Sequence, residues 1–233
     1  MTGSLGTIIH LLRGQQRHGD HAEKLQAFYK PQASGYDEFR ERLLQGRQEL
    51  VERLLSALSE ANGQTLVELG AGTGKSLDYL GDALARFARI DLVDLCPALL
   101  DIARSRASGQ KNVRIIEADA GHFRPLAPVD AVLFAYSLSM MSDWRAVLEN
   151  AVAMLKPGGT IAVVDFTLSP GQSRVVRRFW QAWFAHDGVR LNDGHVAALR
   201  HNFPAHQCEE RRCPIPYLPG LTVPFYLFVG RKD

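Results

Sequence analysis

The residues best placed to do chemistry lie in one glycine-rich segment, Val67-Glu68-Leu69-Gly70-Ala71-Gly72-Thr73-Gly74-Lys75-Ser76. An apolar run precedes the segment and a helical pattern follows it, so we expect it to join a strand to a helix. Glycine lets the backbone turn sharply and approach a ligand closely. The free N–H groups at the start of a helix favour an anionic group. The segment therefore predicts a site for a nucleotide-like ligand.

Two phosphate-binding patterns fit this segment poorly. A P-loop, G-x-x-x-x-G-K-[ST], would need its first glycine at Leu69. A dinucleotide fingerprint, G-x-G-x-x-G, would need its third glycine at Lys75. The spacing that is present is E-x-G-x-G-x-G, from Glu68 to Gly74. A tight strand-to-helix turn with no ligand remains open at this point.

Further polar residues follow later apolar runs of the chain. Asp94 ends the run Ile90–Leu95, and a carboxylate at this place can accept hydrogen bonds from two ribose hydroxyls. Asp119 follows the run Val113–Glu117, and Tyr136 and Ser137 follow a fourth run. Ligands in open parallel sheets bind beyond the carboxyl ends of the strands, so we expect these side chains on one edge of a sheet.

The order of the apolar runs indicates the fold class. Short apolar runs alternate with helical patterns, which predicts an α/β, doubly wound, mostly parallel sheet covered on both faces. The strands are predicted at Thr65–Leu69, Ile90–Leu95, Val113–Glu117, Ala131–Phe134 and Thr160–Asp165, and the helices near 75–87, 97–107 and 144–155. An amphipathic helix is predicted over 38–61, and the segment 155–159 is predicted to end a helix. Residues 207–213 and 224–230 are predicted to form an antiparallel C-terminal hairpin.

Composition excludes several classes of protein. The 233 residues carry a net charge of +2, with three cysteines, no secretory signal and no apolar stretch long enough for a membrane span. We therefore expect a protein of the reducing cytoplasm. Nucleic acid is not an expected partner, and the pattern His201, His206, Cys208, Cys213 does not predict a metal site. Residues 166–233 carry nine basic and five acidic side chains, which suit either an anionic lipid surface or a solvated face.

The motifs across residues 65–165 resemble those of the class I S-adenosylmethionine-dependent methyltransferases, in order and in spacing. The resemblance implies a Rossmann-like, seven-stranded sheet with an N-terminal helical lid over 1–47 and a methyltransferase domain over 48–233. It implies S-adenosyl-L-methionine as cofactor, S-adenosyl-L-homocysteine as product and no metal. In that family an acid at the position of Asp119 binds the adenine amino group. The implied cofactor-binding residues are Glu68, Gly70, Ala71, Gly72, Thr73, Gly74, Asp94, Leu95, Asp119, Ala120, Tyr136 and Ser137.

The flanking segments are similar to a narrower family, the diacylglycerylhomoserine N-methyltransferases of bacterial betaine-lipid synthesis. The similarity rests on Phe28-Tyr29, on Tyr36-Asp37-Glu38-Phe39-Arg40 with Gly46-Arg47, and on Pro216-Tyr217-Leu218-Pro219-Gly220-Leu221. It implies up to three methyl transfers to the amine of diacylglyceryl-homoserine, giving diacylglyceryl-trimethylhomoserine. It also implies a peripheral position on the inner face of the membrane, with the enzyme that makes diacylglyceryl-homoserine as a partner. Phosphatidylethanolamine and soluble small molecules remain alternative acceptors.

The candidate catalytic and substrate residues follow from the chemistry of that transfer. Tyr29 and Tyr36 are candidates for lining the transfer path, where their rings would attract a methylated ammonium; packing in the lid is the alternative. Arg40 and Arg47 are candidates for the homoserine carboxylate; pairing with neighbouring glutamates on a solvated helix is the alternative. The remaining candidates for substrate binding are Met140 and His186. The aromatic residues Phe179, Trp180, Trp183 and Phe184 are predicted to belong to the core, with contact to an acyl chain as the alternative.

Overall fold

The computed structural model describes residues 43–58, 62–168, 171–186, 188–215 and 220–233. The helices are α1 (Arg47–Ala57), α2 (Ser76–Leu80), α3 (Pro97–Arg106), α4 (Trp144–Met154), α5 (Arg174–His186) and α6 (Gly194–Asn202). The strands are β1 (Gln64–Leu69), β2 (Phe87–Asp94), β3 (Val113–Glu117), β4 (Val129–Ala135), β5 (Leu155–Phe166), β6 (Ala205–Pro214) and β7 (Thr222–Arg231). Short 3₁₀ turns cover Gly81–Arg86 and Leu138–Met140.

The seven strands form one mixed sheet in the order β3-β2-β1-β4-β5-β7-β6. The first five strands of the chain pair in parallel, and β7 pairs antiparallel with β5 and with β6. The chain order therefore reverses between β1 and β4, and this is where open α/β sheets bind ligands. The predicted Rossmann-like sheet and its antiparallel C-terminal hairpin at one edge are confirmed.

The core lies in two layers, one on each face of the sheet. Successive strand residues point to opposite faces, so Leu66 and Leu133 pack towards α1, α2, α3 and α5. Val67 and Phe134 pack towards α4 and α6. Because both faces are covered, the parallel strands are apolar along most of their length rather than alternating.

Three predicted boundaries were wrong. The segment 155–159 was predicted to end a helix, yet α4 ends at Met154 and β5 begins at Leu155. The amide of Gly158 donates to the carbonyl of Lys232, and the amide of Lys232 donates to the carbonyl of Gly159, so pairing with the end of the chain extends the strand. Helix α1 ends at Ala57 rather than 61, and the helix predicted near 75–87 is divided into α2 and a 3₁₀ turn.

The aromatic residues of α5 are divided between the core and the surface. Trp180 and Phe184 are buried, as predicted, but Phe179 and Trp183 are 44% and 43% exposed. The prediction that all four belong to the core was therefore wrong for two of them. Among the described residues, no helix combines the length and the apolar character that crossing a membrane requires.

Candidate cofactor and acceptor site

A cavity of about 370 Å³ opens at the carboxyl ends of β1, β2 and β4. This volume lies in the range of small-ligand pockets. The glycine loop after β1 forms one side, and the loop after β4 forms another. The residues that line the cavity include Leu44, Arg47, Glu68, Gly70, Gly72, Tyr79, Asp94, Asp119, Tyr136, Ser137 and Met140.

The glycine loop is held against its neighbours by backbone hydrogen bonds. The amides of Gly70 and Ala71 both donate to the carbonyl of Val93 on β2, at 2.8 and 3.0 Å. Gly70 has a φ of +73°, and a Cβ at this residue would lie 2.4 Å from the Cβ of Ser137. The Oγ of Ser137 donates to the carbonyl of Leu69 at 2.7 Å. Only glycine allows the ends of β1 and β4 to approach this closely.

Asp94 connects the glycine loop to the end of β2. Its Oδ2 accepts a hydrogen bond from the amide of Gly72 at 2.8 Å, and its Oδ1 accepts one from the amide of Cys96 at 2.8 Å. The carboxylate is thereby oriented at the cavity wall, where ribose hydroxyls can reach it.

Asp119 lies on the cavity wall just beyond β3. Its Oδ1 accepts from the amide of Gly121 at 2.6 Å, in a turn that fixes the carboxylate at the surface of the cavity. Ala120 and Gly121 also line the cavity at this point. Small residues beside a half-exposed acid leave room for a flat aromatic group.

Glu68 is buried at the end of β1 and lines the cavity. The Oγ of Ser76 donates to its carboxyl group. Burial raises the pKa of Glu68 to about 8; the Ser76 hydrogen bond and the charge of Arg47 oppose this rise, while Asp94 adds to it. The carboxyl group is therefore mostly neutral at pH 7.

Arg47 brings a buried positive charge to the cavity. The residue is 8% exposed, and its Nε donates to the carbonyl of Leu44 at 3.2 Å. Its guanidinium carbon lies 5.8 Å from the ring centre of Tyr79, but its Nη2 is buried without a hydrogen-bond partner among the described residues. A buried cation without an anion is costly, so this corner of the cavity fits an anionic group of a ligand.

The loop after β4 forms the opposite wall and is unusually constrained. Tyr136 is the non-glycine residue with positive φ, at +58°, in the described part of the chain. Its hydroxyl donates to the carbonyl of Gln45 at 2.7 Å, and its ring lies 4.6 Å from that of Phe166. Burial raises the pKa of its phenol well above the usual value. A backbone held in this region costs about 1–3 kcal/mol and often marks a functional site.

Asp165, fully buried at the end of β5, supports the same loop. Its Oδ2 accepts from the amide of Ser139 at 2.8 Å, and its Oδ1 accepts from the hydroxyl of Ser139 at 2.6 Å. Burial raises its pKa to about 6 against these hydrogen bonds. Asp165 was not predicted as a site residue. It does not line the cavity and supports the loop only through its hydrogen bonds to Ser139.

The structure brings most of the predicted site residues together. The cofactor candidates that line the cavity are Glu68, Gly70, Ala71, Gly72, Thr73, Asp94, Leu95, Asp119, Ala120, Tyr136 and Ser137. Gly74 is the exception, because it is not part of the cavity wall. A Cβ there would lie 2.9 Å from Leu92 and 3.2 Å from Ala103. The absence of a side chain at Gly74 therefore lets the glycine loop pack against β2 and α3, and its role in cofactor binding stays a prediction.

The predicted catalytic and substrate residues are only partly placed. Arg47 and Met140 line the cavity. Tyr29, Tyr36 and Arg40 lie outside the described residues, as does most of the predicted lid, and the side chain of His186 is not described. Tyr79 was missed, and its spacing of four residues from Lys75 was the available signal. In the structure the Nζ of Lys75 lies 5.7 Å from the ring centre of Tyr79.

The polar groups that line the cavity fit S-adenosylmethionine. The buried Nη2 of Arg47 needs an anion, Asp94 suits ribose hydroxyls, and the surroundings of Asp119 suit a purine with an exocyclic amine. In the described part of the chain, no group of three or more His, Cys, Asp or Glu side chains is placed to hold a metal ion.

Comparison with known sequences identifies the domain. Residues 66–159 match the profile of the methyltransferase-domain family. The trans-aconitate 2-methyltransferase of Enterobacter sp. (strain 638) is 38% identical over 76 residues, which is 33% of this chain and 29% of that protein. The chain thus matches less than a third of the length of that relative.

Solved structures share the fold over most of the chain. The N-methyltransferase NodS of Bradyrhizobium japonicum, in complex with S-adenosyl-L-homocysteine, has a TM-score of 0.64 at 18% identity and covers 92% of this chain and 100% of its own. The phosphoethanolamine N-methyltransferase 2 of Haemonchus contortus has a TM-score of 0.71 at 13% identity, over 93% of this chain and 61% of its own. The chain therefore shares the fold of these methyltransferases.

Proposed function

We propose that this chain, which carries a class I S-adenosylmethionine-dependent methyltransferase domain, methylates the amine of diacylglyceryl-homoserine up to three times. The product would be the betaine lipid diacylglyceryl-trimethylhomoserine. Methyl transfer is supported by one observation above all: the cavity places Asp94, Asp119 and the buried cation of Arg47 around a single glycine loop. The lipid acceptor is supported by the flanking segments and is the more specific part of the proposal.

When bound, S-adenosylmethionine supplies an electrophilic methyl group and leaves as S-adenosylhomocysteine. The chain has to hold the acceptor amine in line with that group and keep water out. Correct positioning can supply much of the rate enhancement of such a displacement. The buried loop of Tyr136 and Ser137, fixed by hydrogen bonds to Gln45 and Leu69, is rigid enough for this role.

Arg47 fits a carboxylate, and its position favours the carboxylate of the cofactor over that of homoserine. It lies beside Tyr79 on α2, the helix that follows the glycine loop, and its charge acts on Glu68 at the end of β1. Both neighbours belong to the cofactor side of the cavity. We therefore reassign Arg47, which the sequence analysis gave to the acceptor, to the amino-acid part of the cofactor.

The acceptor amine must be neutral when it reacts, and each of the first two transfers releases a proton. Asp94, Asp119 and Asp143 line the cavity, and each accepts a hydrogen bond from a backbone amide. Glu68 is mostly neutral at pH 7 because its pKa is about 8. These groups position a substrate better than they remove a proton, so we expect the proton to pass to solvent.

Phosphatidylethanolamine and soluble amines are the alternative acceptors. The structural likeness to two N-methyltransferases favours an amine acceptor in general and does not distinguish among these molecules.

The test is a transfer assay with radiolabelled S-adenosylmethionine. Vesicles containing diacylglyceryl-homoserine, vesicles containing phosphatidylethanolamine and a panel of soluble amines are offered separately. We expect label in the homoserine lipid, with mono-, di- and trimethylated products by mass. Asp94→Ala serves as the inactive control, and Asp101→Ala, an exposed acid on α3, serves as the matched active one. Label in phosphatidylethanolamine alone, or in a soluble amine alone, would overturn the lipid assignment.

A further inference from the structure

Helix α5 carries an apolar face that the fold leaves exposed. Val175, Val176, Phe179 and Trp183 are 77%, 41%, 44% and 43% exposed. Phe179 follows Val175 by four residues and Val176 by three, and Trp183 follows Phe179 by four, so these side chains lie along one side of the helix. Exposed large apolar side chains are ordinary when they are scattered, but a contiguous group marks an interaction surface.

Positive charges border this face. Arg174 and Arg178 are exposed on the same helix, and Arg190 is exposed just beyond it. Arg177, by contrast, pairs with Asp193 at 2.6 Å. In the described part of α5, residues 174–185, the charged side chains are all arginines. A helix with arginines beside exposed phenylalanine and tryptophan has the composition of one that lies in the interface of an anionic membrane.

The helix is joined to the cavity by a short series of contacts. On its buried side, Phe184 lies 4.7 Å from Phe166, and Phe166 lies 4.6 Å from Tyr136 at the cavity wall. The amide of Arg190 donates to the carbonyl of Ser139 at 2.7 Å, in the loop that contains Met140. The C-terminal end of α5 therefore lies at the same edge of the sheet as the cavity.

Another exposed apolar residue lies near the start of β7. Phe225 on β7 pairs with Phe166 at the end of β5, so the start of β7 lies at the carboxyl edge of the parallel strands. Leu221, just before β7, is 40% exposed.

We infer that the exposed face of α5, defined by Val175, Val176, Phe179 and Trp183, docks on an anionic lipid surface and brings the cavity to the lipid headgroups. The arginines meet the negative surface while the aromatic side chains enter the boundary of the acyl chains. The inference rests on the proposed function for the lipid acceptor, and it adds the surface through which the chain reaches that acceptor.

Trp183 offers a direct readout of docking. The other two tryptophans, Trp144 and Trp180, are buried at 7% and 2% exposure, so Trp183 is the one that a vesicle can reach. We expect its fluorescence to shift to the blue, and to be shielded from an aqueous quencher, when vesicles of phosphatidylcholine with phosphatidylglycerol are added. Trp183→Phe should bind the vesicles and lose this signal. An unshifted spectrum with bound vesicles would contradict the inference.

Vesicle co-sedimentation of variants completes the test. We expect Phe179→Ser with Trp183→Ser to weaken vesicle binding by about tenfold or more per side chain. Arg174→Gln with Arg178→Gln should weaken binding by about 30-fold at low salt, since each charge near an anionic surface contributes about 1 kcal/mol. The matched control is Leu126→Ser, because Leu126 is 87% exposed in the loop between β3 and β4. The arginine variants and Leu126→Ser should keep the thermal unfolding of the wild type, since their side chains are exposed. Thermal unfolding also checks that the double serine variant is folded at the assay temperature.

The outcomes separate this inference from the proposed function. Vesicle binding by the double serine variant at wild-type strength would overturn the docking surface, even if lipid is methylated. Self-association that this variant abolishes, with no vesicle binding by the wild type, would make the face a dimer interface and would also overturn it. Vesicle binding through α5 without methylation of any lipid would leave docking intact and refute the proposed acceptor.

Discussion

At the scale of single residues, Asp94 carries the most direct test of the cofactor site. It accepts hydrogen bonds from the amides of Gly72 and Cys96, so it orients the glycine loop as well as facing the ligand. We expect Asp94→Ala to weaken binding of S-adenosylmethionine by about 1.5–3 kcal/mol for each hydrogen bond lost to the charged group. Isothermal titration calorimetry measures this change. Asp101→Ala on α3 should bind like the wild type, and unchanged affinity in Asp94→Ala would refute the assignment.

Glu68 gives a prediction for the dependence of stability on pH. Its pKa rises from 4.5 to about 8 on folding because the carboxyl group is buried. The folded protein therefore holds a proton that the unfolded chain has lost, and the stability from this group falls as pH rises from about 4.5 to about 8. Glu68→Gln cannot ionise, so its free energy of unfolding should not show this fall. The free energy of unfolding of the variant minus that of the wild type should therefore increase as pH rises through this range. Urea unfolding without cofactor at several pH values measures the difference, and a constant difference would contradict the pKa.

The acidic and glycine residues of the site could be predicted because their spacing along the chain is local. Glu68, Gly70, Asp94 and Asp119 each follow a recognisable strand, and the rule for parallel sheets places them on one edge. The Nη2 of Arg47 has no hydrogen-bond partner in the described part of the chain. This could not be predicted, because it depends on how α1 packs against the end of β1. Whether a side-chain nitrogen lacks a hydrogen-bond partner depends on how the surrounding elements bury it, which sequence spacing does not show.

At the scale of elements, the approach of the loop after β1 to the loop after β4 depends on Gly70. An alanine there would combine a φ of +73° with a Cβ only 2.4 Å from that of Ser137. We expect Gly70→Ala to lower the free energy of unfolding by about 2–5 kcal/mol and to abolish cofactor binding. Gly109→Ala is the matched control, because Gly109 has a φ of +85° with no atom within 4 Å of a Cβ. It should cost only about 1–2 kcal/mol and leave binding unchanged. Equal losses in both variants would refute the steric argument.

Element boundaries were predicted correctly where residues next to the boundary set it. They were predicted wrongly where pairing with a distant segment of the chain sets the boundary. Strand β3 occupies Val113–Glu117 as predicted. Strand β5 begins five residues before the predicted Thr160, because its first residues pair with the end of the chain. In α5, periodicity identified the helix, but which aromatic residues are buried depends on where the helix sits against β5.

At the scale of the whole molecule, the two ends of the sheet differ in character. The cavity, the C-terminal end of α5 and the start of β7 all lie at the carboxyl edge of the parallel strands. At the opposite edge, Asp130 accepts hydrogen bonds from the amide and hydroxyl of Thr65 and from Lys156, a structural arrangement. The direction of the parallel strands decides which edge carries the cavity, so the sequence could predict that edge. The sequence could not predict which side chains of α5 are exposed.

An ion-pair network joins helix α1 to strand β6, which lie far apart in the sequence. Arg211 on β6 contacts both oxygens of Glu49 on α1, at 2.6 and 2.9 Å, and Arg53 bridges Glu49 and Glu209 at 2.5 and 2.6 Å. Hydrogen bonding to Arg211 is the largest cause of the lowered pKa of Glu49. The stabilisation from Glu49 is therefore present at neutral pH and is lost as pH falls through this lowered pKa.

We expect Arg211→Gln to lower the free energy of unfolding by about 1 kcal/mol at low salt, since partly exposed pairs contribute about 0.2–1 kcal/mol each. The loss should shrink in high salt, which screens exposed charges. Arg104→Gln is the control: Arg104 pairs with Asp101 three residues away on α3, so that ion pair joins no distant parts of the chain. Urea unfolding at low and high salt measures both. A loss in Arg211→Gln that is the same at both salt concentrations would mean that packing of the arginine stem, rather than its charge, holds α1 against the hairpin.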